Sequence, residues 1–354
     1  MLTRSVEITP SPAPATAPSA RLQNELKSLR ARLSQTEDEL EAALQKIARL
    51  ECHRGWRWRQ LLRKCVGVRL GVLKQYRPRP LGLPRHYGQT RSDATLSFGI
   101  VTPSYNQGDF LEQTMHSVLE QDYPRLDYIV HDNLSQDETP KILERYRNRL
   151  THCAQEKDQG QADAINRGFA HTRAEVMAYL NSDDLLLPGT LHYVSSYFER
   201  HPEIDVVYGH RIVVDEAGDE IGRWILPRHD DAVLSWADYV PQETLFWRRR
   251  VWERVGAALD LSFQFALDWD LLLRFRDAGA RFARLPRFLG AFRFHAAQKT
   301  TSQIAHQGLP EMNRLRERCH GRPVSYTEIA RKLSGYLCRH VTLDTLYRFG
   351  ILRY

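Results

Sequence analysis

Short apolar segments alternate with amphipathic segments from about residue 96 to residue 210, and this alternation constrains the fold more than any other feature. Phe98–Thr102, Tyr128–Asp132 and Glu175–Leu180 are apolar runs of strand length, whereas Asp109–Glu120 and Gly189–Arg200 carry apolar residues at helical spacing. This order predicts an α/β fold with a mainly parallel sheet and helices on both faces. Ligands of such folds bind at the carboxyl edge of the strands.

Acidic residues follow two of these apolar runs at that edge. Asp132 closes the second run, and Asp183 and Asp184 follow the third. Adjacent carboxylates repel each other unless a cation neutralises them, and oxygen ligands suit Mg²⁺ or Mn²⁺, which commonly bridge phosphate oxygens. The alternative is an Asn-Ser-Asp-Asp turn that caps the helix beginning near Pro188. These residues alone leave both interpretations open.

Several common site motifs are absent from the sequence. There is no Gly-x-Gly-x-x-Gly after the first strand, no Gly-x-x-x-x-Gly-Lys-Ser/Thr and no Gly-x-Ser-x-Gly. Dinucleotide-binding, P-loop and α/β-hydrolase interpretations therefore lose their main support.

Six short motifs follow one another along the chain. They are VTPSYN (Val101–Asn106), IVHDNLSQDET (Ile129–Thr139), DQGQADAINRG (Asp158–Gly168), LNSDD (Leu180–Asp184), QETLFWRR (Gln242–Arg249) and LDWDLLLR (Leu267–Arg274). Each motif is weak alone, but the ordered set is specific. With these motifs, residues 98–302 resemble the family 2 glycosyltransferases, which have the GT-A fold.

The resemblance implies a nucleoside-diphosphate sugar donor and assigns its binding residues. Pro103 and Tyr105 would line the nucleotide pocket, with the ring packed on a base face. Asp132 would accept a hydrogen bond from the base, and Asp158 and Gln161 would contact nucleotide or donor sugar.

The resemblance also implies a divalent metal, Mg²⁺ or Mn²⁺, and a catalytic base. Asp183 and Asp184 occupy the family's Asp-x-Asp position and would hold the ion and the donor diphosphate. Asp268 matches the acid that removes the acceptor's proton in inverting members. Asp270 competes with it, but the two side chains point apart on either a strand or a helix, and we favour Asp268.

The segment that closes the family's active site resembles Phe292–His295 and the residues after it. There His295 could be a third metal ligand or a loop histidine, and Lys299 a diphosphate contact. Gln242 and Glu243 are candidates for the acceptor site.

Three departures from the family pattern bear on these roles. Asn181 stands where many members carry the first acid of Asp-x-Asp. Asn133 and Leu134 replace a small pair that contains glycine, and Leu267 replaces a glutamate.

The N-terminal arm has its own patterns. Residues 1–20 are rich in Pro, Ala, Ser and Thr and are predicted to be disordered. Within residues 21–52 an apolar residue recurs every seven positions from Leu26 to Ile47, with a second series from Leu22 to Leu50 broken only by Thr36. This a/d seam predicts a coiled coil and a homo-oligomer through residues 22–50; a single solvated helix is the alternative.

The net charge of +7 is concentrated in one segment, because residues 53–79 contain nine Arg or Lys and no acid. Its apolar residues, Trp58 among them, fall near one helical face, which favours docking on an anionic membrane surface. The alternatives are packing on the catalytic body and, least favoured, binding to nucleic acid. Residues 53–95 are interpreted as this segment and a linker.

The location follows from what the sequence lacks. Five widely spaced cysteines give no disulfide framework or zinc-ligand spacing, which is typical of a reducing cytosol. No apolar run approaches the ~18–20 residues that span a bilayer, and residues 1–20 lack the apolar core of a secretory signal. We expect a cytoplasmic protein, held at the inner face of the membrane by the basic segment.

These interpretations combine into one hypothesis. Residues 96–302 form a GT-A domain that transfers a sugar, with inversion, to a hydroxyl of a glycan or lipid-linked acceptor in envelope or surface glycan synthesis. Residues 303–354 are a helical extension. The alternative is a catalytically inactive scaffold or sugar-nucleotide binding module, oligomerised by the coiled coil.

Overall fold

A computed structural model describes residues 75–93, 95–295, 298 and 303–354. The predicted coiled coil, the basic segment up to residue 74 and the candidate Lys299 lie outside these described residues.

Nine strands form one mixed sheet in the described part of the chain. They are β1 (Phe98–Ser104), β2 (Leu126–Asp132), β3 (His152–Gln155), β4 (Val176–Tyr179), β5 (Leu185–Leu186), β6 (Val206–Val214), β7 (Glu220–Trp224), β8 (Phe246–Arg248) and β9 (Phe282–Arg293).

The strand order is β3-β2-β1-β4-β8-β6-β9-β5, and β7 pairs with β6. The half that contains β1 to β4 is parallel, as the βα alternation predicts. β8 then lies antiparallel between β4 and β6, while β6 and β9 are parallel. The polar residues that follow β1, β2 and β4 are consequently brought to one edge of the sheet.

Helices cover both faces of the sheet. They are α1 (His86–Gln89), α2 (Gly108–Leu119), α3 (Thr139–Tyr146), α4 (Gln161–Phe169), α5 (Thr190–Arg200), α6 (Asp231–Leu234), α7 (Arg249–Arg254), α8 (Leu267–Asp277), α9 (Leu309–His320) and α10 (Tyr326–Arg348). Short 3₁₀ turns occupy Arg147–Arg149 and Gln242–Thr244, and a π-helical turn occupies Ile304–Gly308.

Alternate residues of the first strand enter two different apolar cores. Phe98 and Ile100 pack with residues of α2 and α5 on one face, while Val101 packs with residues of α4 and α8 on the other. Successive side chains of a strand point to opposite faces, so a run buried on both sides is apolar throughout. This burial explains why β1 lacks the alternation of a half-exposed strand.

The end of the basic segment, residues 76–79, pairs with strand β7. The backbone N–H groups of Tyr76 and Arg79 donate to carbonyls of β7, and Arg79 also forms an ion pair with the buried Glu220. The last residues of the segment therefore form an additional edge on the sheet. No helix among the described residues is both long and apolar enough to cross a membrane.

Candidate active site

The turn after β4 carries the paired aspartates and is held from two sides. The buried Thr114 of α2 donates its hydroxyl to the carbonyls of Ser182 and Asp184, at 2.9 and 2.8 Å. Arg293, fully buried in β9, donates its backbone N–H to Asp184 Oδ1 at 3.0 Å and its Nε to the Asp183 carbonyl at 2.9 Å. These contacts hold the backbone of the turn and fix the direction of the Asp184 carboxylate.

Asp184 is almost inaccessible to solvent, and its charge is disfavoured there. Burial, then repulsion from Asp183 and Glu243, raises its pKa well above the usual range. A nearby cation would reverse this shift, because it would favour the ionised carboxylate.

Asp183 faces His295, and the two side chains form a candidate pair of metal ligands. Asp183 Oδ2 lies 3.0 Å from His295 Nε2, and the ring of Phe110 packs against the imidazole at 4.7 Å between centroids. Within the described part of the chain, no three His, Cys, Asp or Glu side chains converge as a complete metal cage. Oxygen and imidazole donors suit Mn²⁺ or Mg²⁺, so the residues present fit an ion that completes its shell with ligands from outside the chain.

Asn181 supports the site through its amide. Gln161 donates to Asn181 Oδ1 at 2.7 Å, and Asn181 Nδ2 lies 3.2 Å from Gln242 Oε1 and 3.4 Å from Asp184 Oδ2. An amide can accept on one side and donate on the other, whereas an ionised carboxylate can only accept. Asn181, in place of the family's acid, therefore avoids a third carboxylate beside Asp183 and Asp184. Its amide links Gln161 to Gln242.

A cleft of about 430 Å³ opens beside this turn. Five of the predicted site residues line it: Gln161, Asp184, Gln242, Glu243 and Asp268. Asp268 belongs to the first turn of α8, on the wall formed by Gln264–Asp268.

Asp268 and Asp270 have different environments although they are two residues apart. Burial raises the pKa of Asp268 to about 6, while a hydrogen bond from the Trp269 backbone and the charge of Arg211 oppose the rise. Asp270 is fully buried and forms ion pairs with Arg274 and Arg318, at 2.8 and 2.6 Å. Of these two residues, only Asp268 lines the cleft.

Two charged residues of the cleft were missed by sequence reasoning. Arg211 of β6 forms a two-point ion pair with the buried Glu243, at 2.8 and 2.6 Å, with its guanidinium over the ring of Phe292. Asp238 is exposed to the cleft, yet desolvation by surrounding protein, then repulsion from Asp268, raises its pKa above the ordinary value. Neither residue belongs to a recognisable motif, because each interacts with a residue far away in the sequence: Arg211 with Glu243, and Asp238 with Asp268.

The predicted nucleotide residues lie at the ends of β1 and β2. Asp132 is fully buried and accepts from Ser135 twice, at Oδ2 from the backbone and at Oδ1 from the hydroxyl. Pro103 is buried in β1, opposite His131 in the strand register, whereas Tyr105 is 59% exposed. Its ring is therefore available to a ligand at the edge of the sheet.

Asp158 lies beside these residues, and its side chain is nearly inaccessible to solvent. Its backbone donates to Asn133 Oδ1 at 3.0 Å, and its carboxylate accepts from Gly160 N at 2.8 Å and lies 3.7 Å from His131 Nε2. Burial raises the pKa of Asp158 and lowers that of His131. Leu134 has a left-handed φ of +53° in the adjacent loop, which is the conformation that the family's glycine would adopt without strain.

A family model decides the identity of this domain. The model of glycosyl transferase family 2 matches residues 99–261. Residues 99–261 form a glycosyl transferase family 2 domain. The match covers β1 to β8 and the aspartate turn, and it confirms the family that the ordered motifs indicate.

Curated relatives of this chain include two proteins named as glycosyltransferases. A Bacillus subtilis protein named as the teichuronic acid biosynthesis glycosyltransferase TuaG is 38% identical over 88 residues, which are 24% of this chain and 35% of that protein. The Staphylococcus aureus poly(ribitol-phosphate) β-N-acetylglucosaminyltransferase TarS is 25% identical over 111 residues, which are 30% of this chain and 19% of TarS. The chain thus spans about a third or less of the length of these relatives.

Solved structures show the fold of the family 2 chain. The S. aureus TarS structure (residues 1–349) in complex with UDP-GlcNAc superposes with a TM-score of 0.54 at 18% identity, covering 70% of this chain and 73% of that one. The mannosyltransferase PcManGT from Pyrobaculum calidifontis, in complex with GDP-Man and Mn²⁺, has a TM-score of 0.50 at 18% identity, covering 73% and 74%. The predicted GT-A-type α/β fold is confirmed.

The family 2 site thus has two parts in this chain. The cleft unites Asp184, Asp268 and the acceptor candidates Gln242 and Glu243, whereas Asp183 and His295 lie beside it. Four of the nucleotide and donor candidates do not line the cleft and occupy the ends of the parallel strands and the loop after β3: Pro103, Tyr105, Asp132 and Asp158.

Proposed function

We propose that this protein is an inverting glycosyltransferase, which moves a sugar from a nucleoside diphosphate to an acceptor hydroxyl. The observation that carries the proposal is that Asp268 and Asp184 line the same cleft. Asp184 belongs to the region that the family 2 model matches. A carboxylate with a pKa of about 6 is ionised at neutral pH and is still basic enough to take a proton as it is released.

Asp268 has the central chemical role in this proposal. Its carboxylate takes the proton of the acceptor hydroxyl while that oxygen bonds to the anomeric carbon and the nucleoside diphosphate departs from the opposite face. Arg211 favours the ionised form of Asp268, and its ion pair with Glu243 keeps the guanidinium in place. Gln242, fixed by its bond to the Tyr179 carbonyl, would contact the acceptor together with Glu243.

A divalent cation, Mn²⁺ or Mg²⁺, fits the aspartate turn. Asp183 and His295 would hold it, with Asp184 behind them, and the diphosphate oxygens of the donor would supply further ligands. When bound, such an ion offsets the charge that develops on the departing diphosphate. The Mn²⁺ named in the PcManGT structure supports this assignment.

The donor nucleotide would bind along the ends of β1 and β2. Tyr105 is free to stack on a base, and Asp132 lies at the strand end where a base edge would arrive. UDP-GlcNAc and GDP-Man in the related structures support a nucleoside-diphosphate sugar as the class of donor. The names of TuaG and TarS support a cell-wall or envelope glycan as the class of acceptor.

We also propose that the protein works at an anionic membrane face. The chain leaves the basic segment at a surface hollow of about 700 Å³, whose lining includes Arg79, Arg348 and Arg353. Phe349 and Ile351, 77% and 68% exposed, lie in the same C-terminal stretch. Apolar side chains among arginines suit the headgroup region of an anionic bilayer.

Sugar-nucleotide binding is the most direct test of the enzyme proposal. Thermal shift with Mn²⁺ should select one donor from a panel that includes UDP-GlcNAc and GDP-Man, because a ligand that binds only the folded state raises Tm. The wild type should hydrolyse or transfer the selected donor only when Mn²⁺ or Mg²⁺ is present. Asp183→Asn should lose most of this turnover, and added Mn²⁺ should no longer stimulate what remains. A donor that binds without turnover at any metal concentration would favour the inactive binding module instead.

Vesicle sedimentation tests the membrane proposal. The full chain should sediment with vesicles containing anionic phospholipid and should remain in solution with neutral vesicles. A variant with Arg57, Arg59, Arg63 and Lys64 changed to Gln should lose this binding. Equal sedimentation of the two proteins would refute the role of the basic segment.

A further inference from the structure

Three consecutive backbone N–H groups just before helix α8 donate to a single carboxylate. Gln264 N donates to Glu311 Oε1 at 3.0 Å, and Phe265 N and Ala266 N donate to Oε2 at 2.9 and 2.8 Å. Glu311 lies in the first turn of α9, 45 to 47 residues further along the chain. Bonds between backbone amides and an ionised acceptor are among the stronger hydrogen bonds in proteins.

The amides that Glu311 holds belong to the wall of the cleft. Gln264, Phe265 and Ala266 immediately precede Leu267 and Asp268, and all five residues line the cleft. Ala266 is the N-cap residue of α8, and its own side chain gives no capping bond. The helix dipole also favours a carboxylate at the N-terminus of a helix.

Further contacts from the same side hold the segment on both sides of Asp268. Gly308 lies so close to the ring of Phe265 that an added Cβ would approach it to 2.9 Å. Beyond Asp268, Arg318 of α9 forms the 2.6 Å ion pair with Asp270. Helix α9 thus contacts the segment before Asp268 and the residue two positions after it.

We propose that Glu311 is a positioning residue that sets the location of the Asp268 carboxylate in the cleft. The inference rests on the proposed transferase function and deepens it, because it makes residues 303–320 a working part of the site. Without the Glu311 carboxylate, three amides would need water as their acceptor, and the segment before Asp268 could shift. A misplacement of about 1 Å can cost roughly 100-fold in rate.

The role of Glu311 is mechanical, because its carboxylate bonds to the three backbone N–H groups before α8. Its replacement should therefore lower kcat without moving the pH midpoint of the activity. The donor residues lie on other elements, so KM for the donor should also stay constant.

The test compares Glu311→Gln and Glu311→Ala with Glu317→Gln, an exposed glutamate on the same helix. With the donor selected by thermal shift, we expect kcat to fall roughly 10-fold in Glu311→Gln and 100-fold in Glu311→Ala. KM for the donor should stay within about twofold of the wild-type value. The pH midpoint of kcat should stay within about 0.3 pH units, on the order of ordinary assay error. The control should match the wild type in every measurement.

Hydrogen exchange gives a readout that does not depend on activity. A peptide covering residues 262–269 should lose protection in Glu311→Ala, while peptides of β1 and β2 keep theirs. Unchanged protection, an unchanged kcat, or a rise in KM equal to the fall in kcat would each overturn the positioning role. A wild type that turns over no donor would instead refute the proposed function, whatever the exchange data show.

Discussion

Replacing Asp268 with asparagine should separate the activity of the protein from its stability. The carboxylate has a pKa of about 6 in the fold, against an ordinary value of 3.8. The folded state therefore holds this proton more tightly than the unfolded chain does, and ionisation of Asp268 lowers the free energy of unfolding. This cost is absent below the ordinary pKa, grows as the pH rises towards 6 and is complete above that value.

The magnitude follows from the difference between these two pKa values. At about 1.36 kcal/mol per pKa unit the cost approaches about 3 kcal/mol, and contact of the side chain with cleft solvent reduces it to roughly 1–2 kcal/mol. Asp268→Asn should therefore raise Tm by roughly 2–5 °C at pH 8 and leave it unchanged near pH 4. Asp277→Asn, at the exposed end of the same helix, should change neither value.

Activity should change in the opposite direction. In the wild type kcat/KM should rise with pH through about 6 and then level off, since the base must be ionised. Asp268→Asn should lower kcat by about 10²–10⁴-fold, the usual contribution of general base catalysis, and remove this pH dependence. Nucleotide release followed from pH 5 to pH 9, with differential scanning fluorimetry at each pH, measures both effects. A variant that keeps wild-type kcat, or gains equal stability at pH 4 and pH 8, would refute the assignment.

Three further substitutions test the surroundings of the site. Asp270→Asn should lower the free energy of unfolding by about 3 kcal/mol, because two arginines lose a buried partner, and it should lower kcat per folded molecule less than Glu311→Ala does, because the three backbone bonds to Glu311 remain; urea titration beside turnover checks this. Leu134→Gly should stabilise the fold by about 1 kcal/mol in the same titration, since it relieves the left-handed backbone, and an unchanged midpoint would argue against strain. Asn181→Asp should lower Tm in EDTA and restore it with Mn²⁺, because a third carboxylate beside Asp184 needs a cation; a Tm insensitive to Mn²⁺ would contradict that explanation.

Local patterns in the sequence were sufficient for β1, β2 and β4 and for the acids that close β2 and follow β4. The apolar runs that became β1, β2 and β4 are buried on both faces, which makes them continuous and easy to recognise. Because parallel strands end at the same edge, the positions of Asp132, Asp183 and Asp184 followed from the predicted fold. Asp268 and Asp270 lie on a helix, where side chains two positions apart diverge, as expected.

The remaining features depend on contacts between distant parts of the chain. Arg211 meets Glu243 across 32 positions, and Glu311 meets Ala266 across 45. Neither pair lies within one helix or strand, so no period or spacing records it. The antiparallel position of β8 between β4 and β6 was missed for the same reason, since a three-residue strand gives almost no pattern of its own.

The balance of charge in the cleft explains why a cation belongs to the proposed reaction. Four carboxylates line the cleft, on Asp184, Asp238, Glu243 and Asp268, and Arg211 is already committed to Glu243. The raised pKa values of Asp184 and Asp238 show that the cleft disfavours further negative charge. An anionic diphosphate could enter such a site only with a compensating positive charge, and the Asp183–His295 pair lies where that charge would be held. Asp268 belongs to α8, directly after the segment that bonds to Glu311, and not to the aspartate turn. A cation at the turn could therefore favour binding of the donor without forming an ion pair with Asp268.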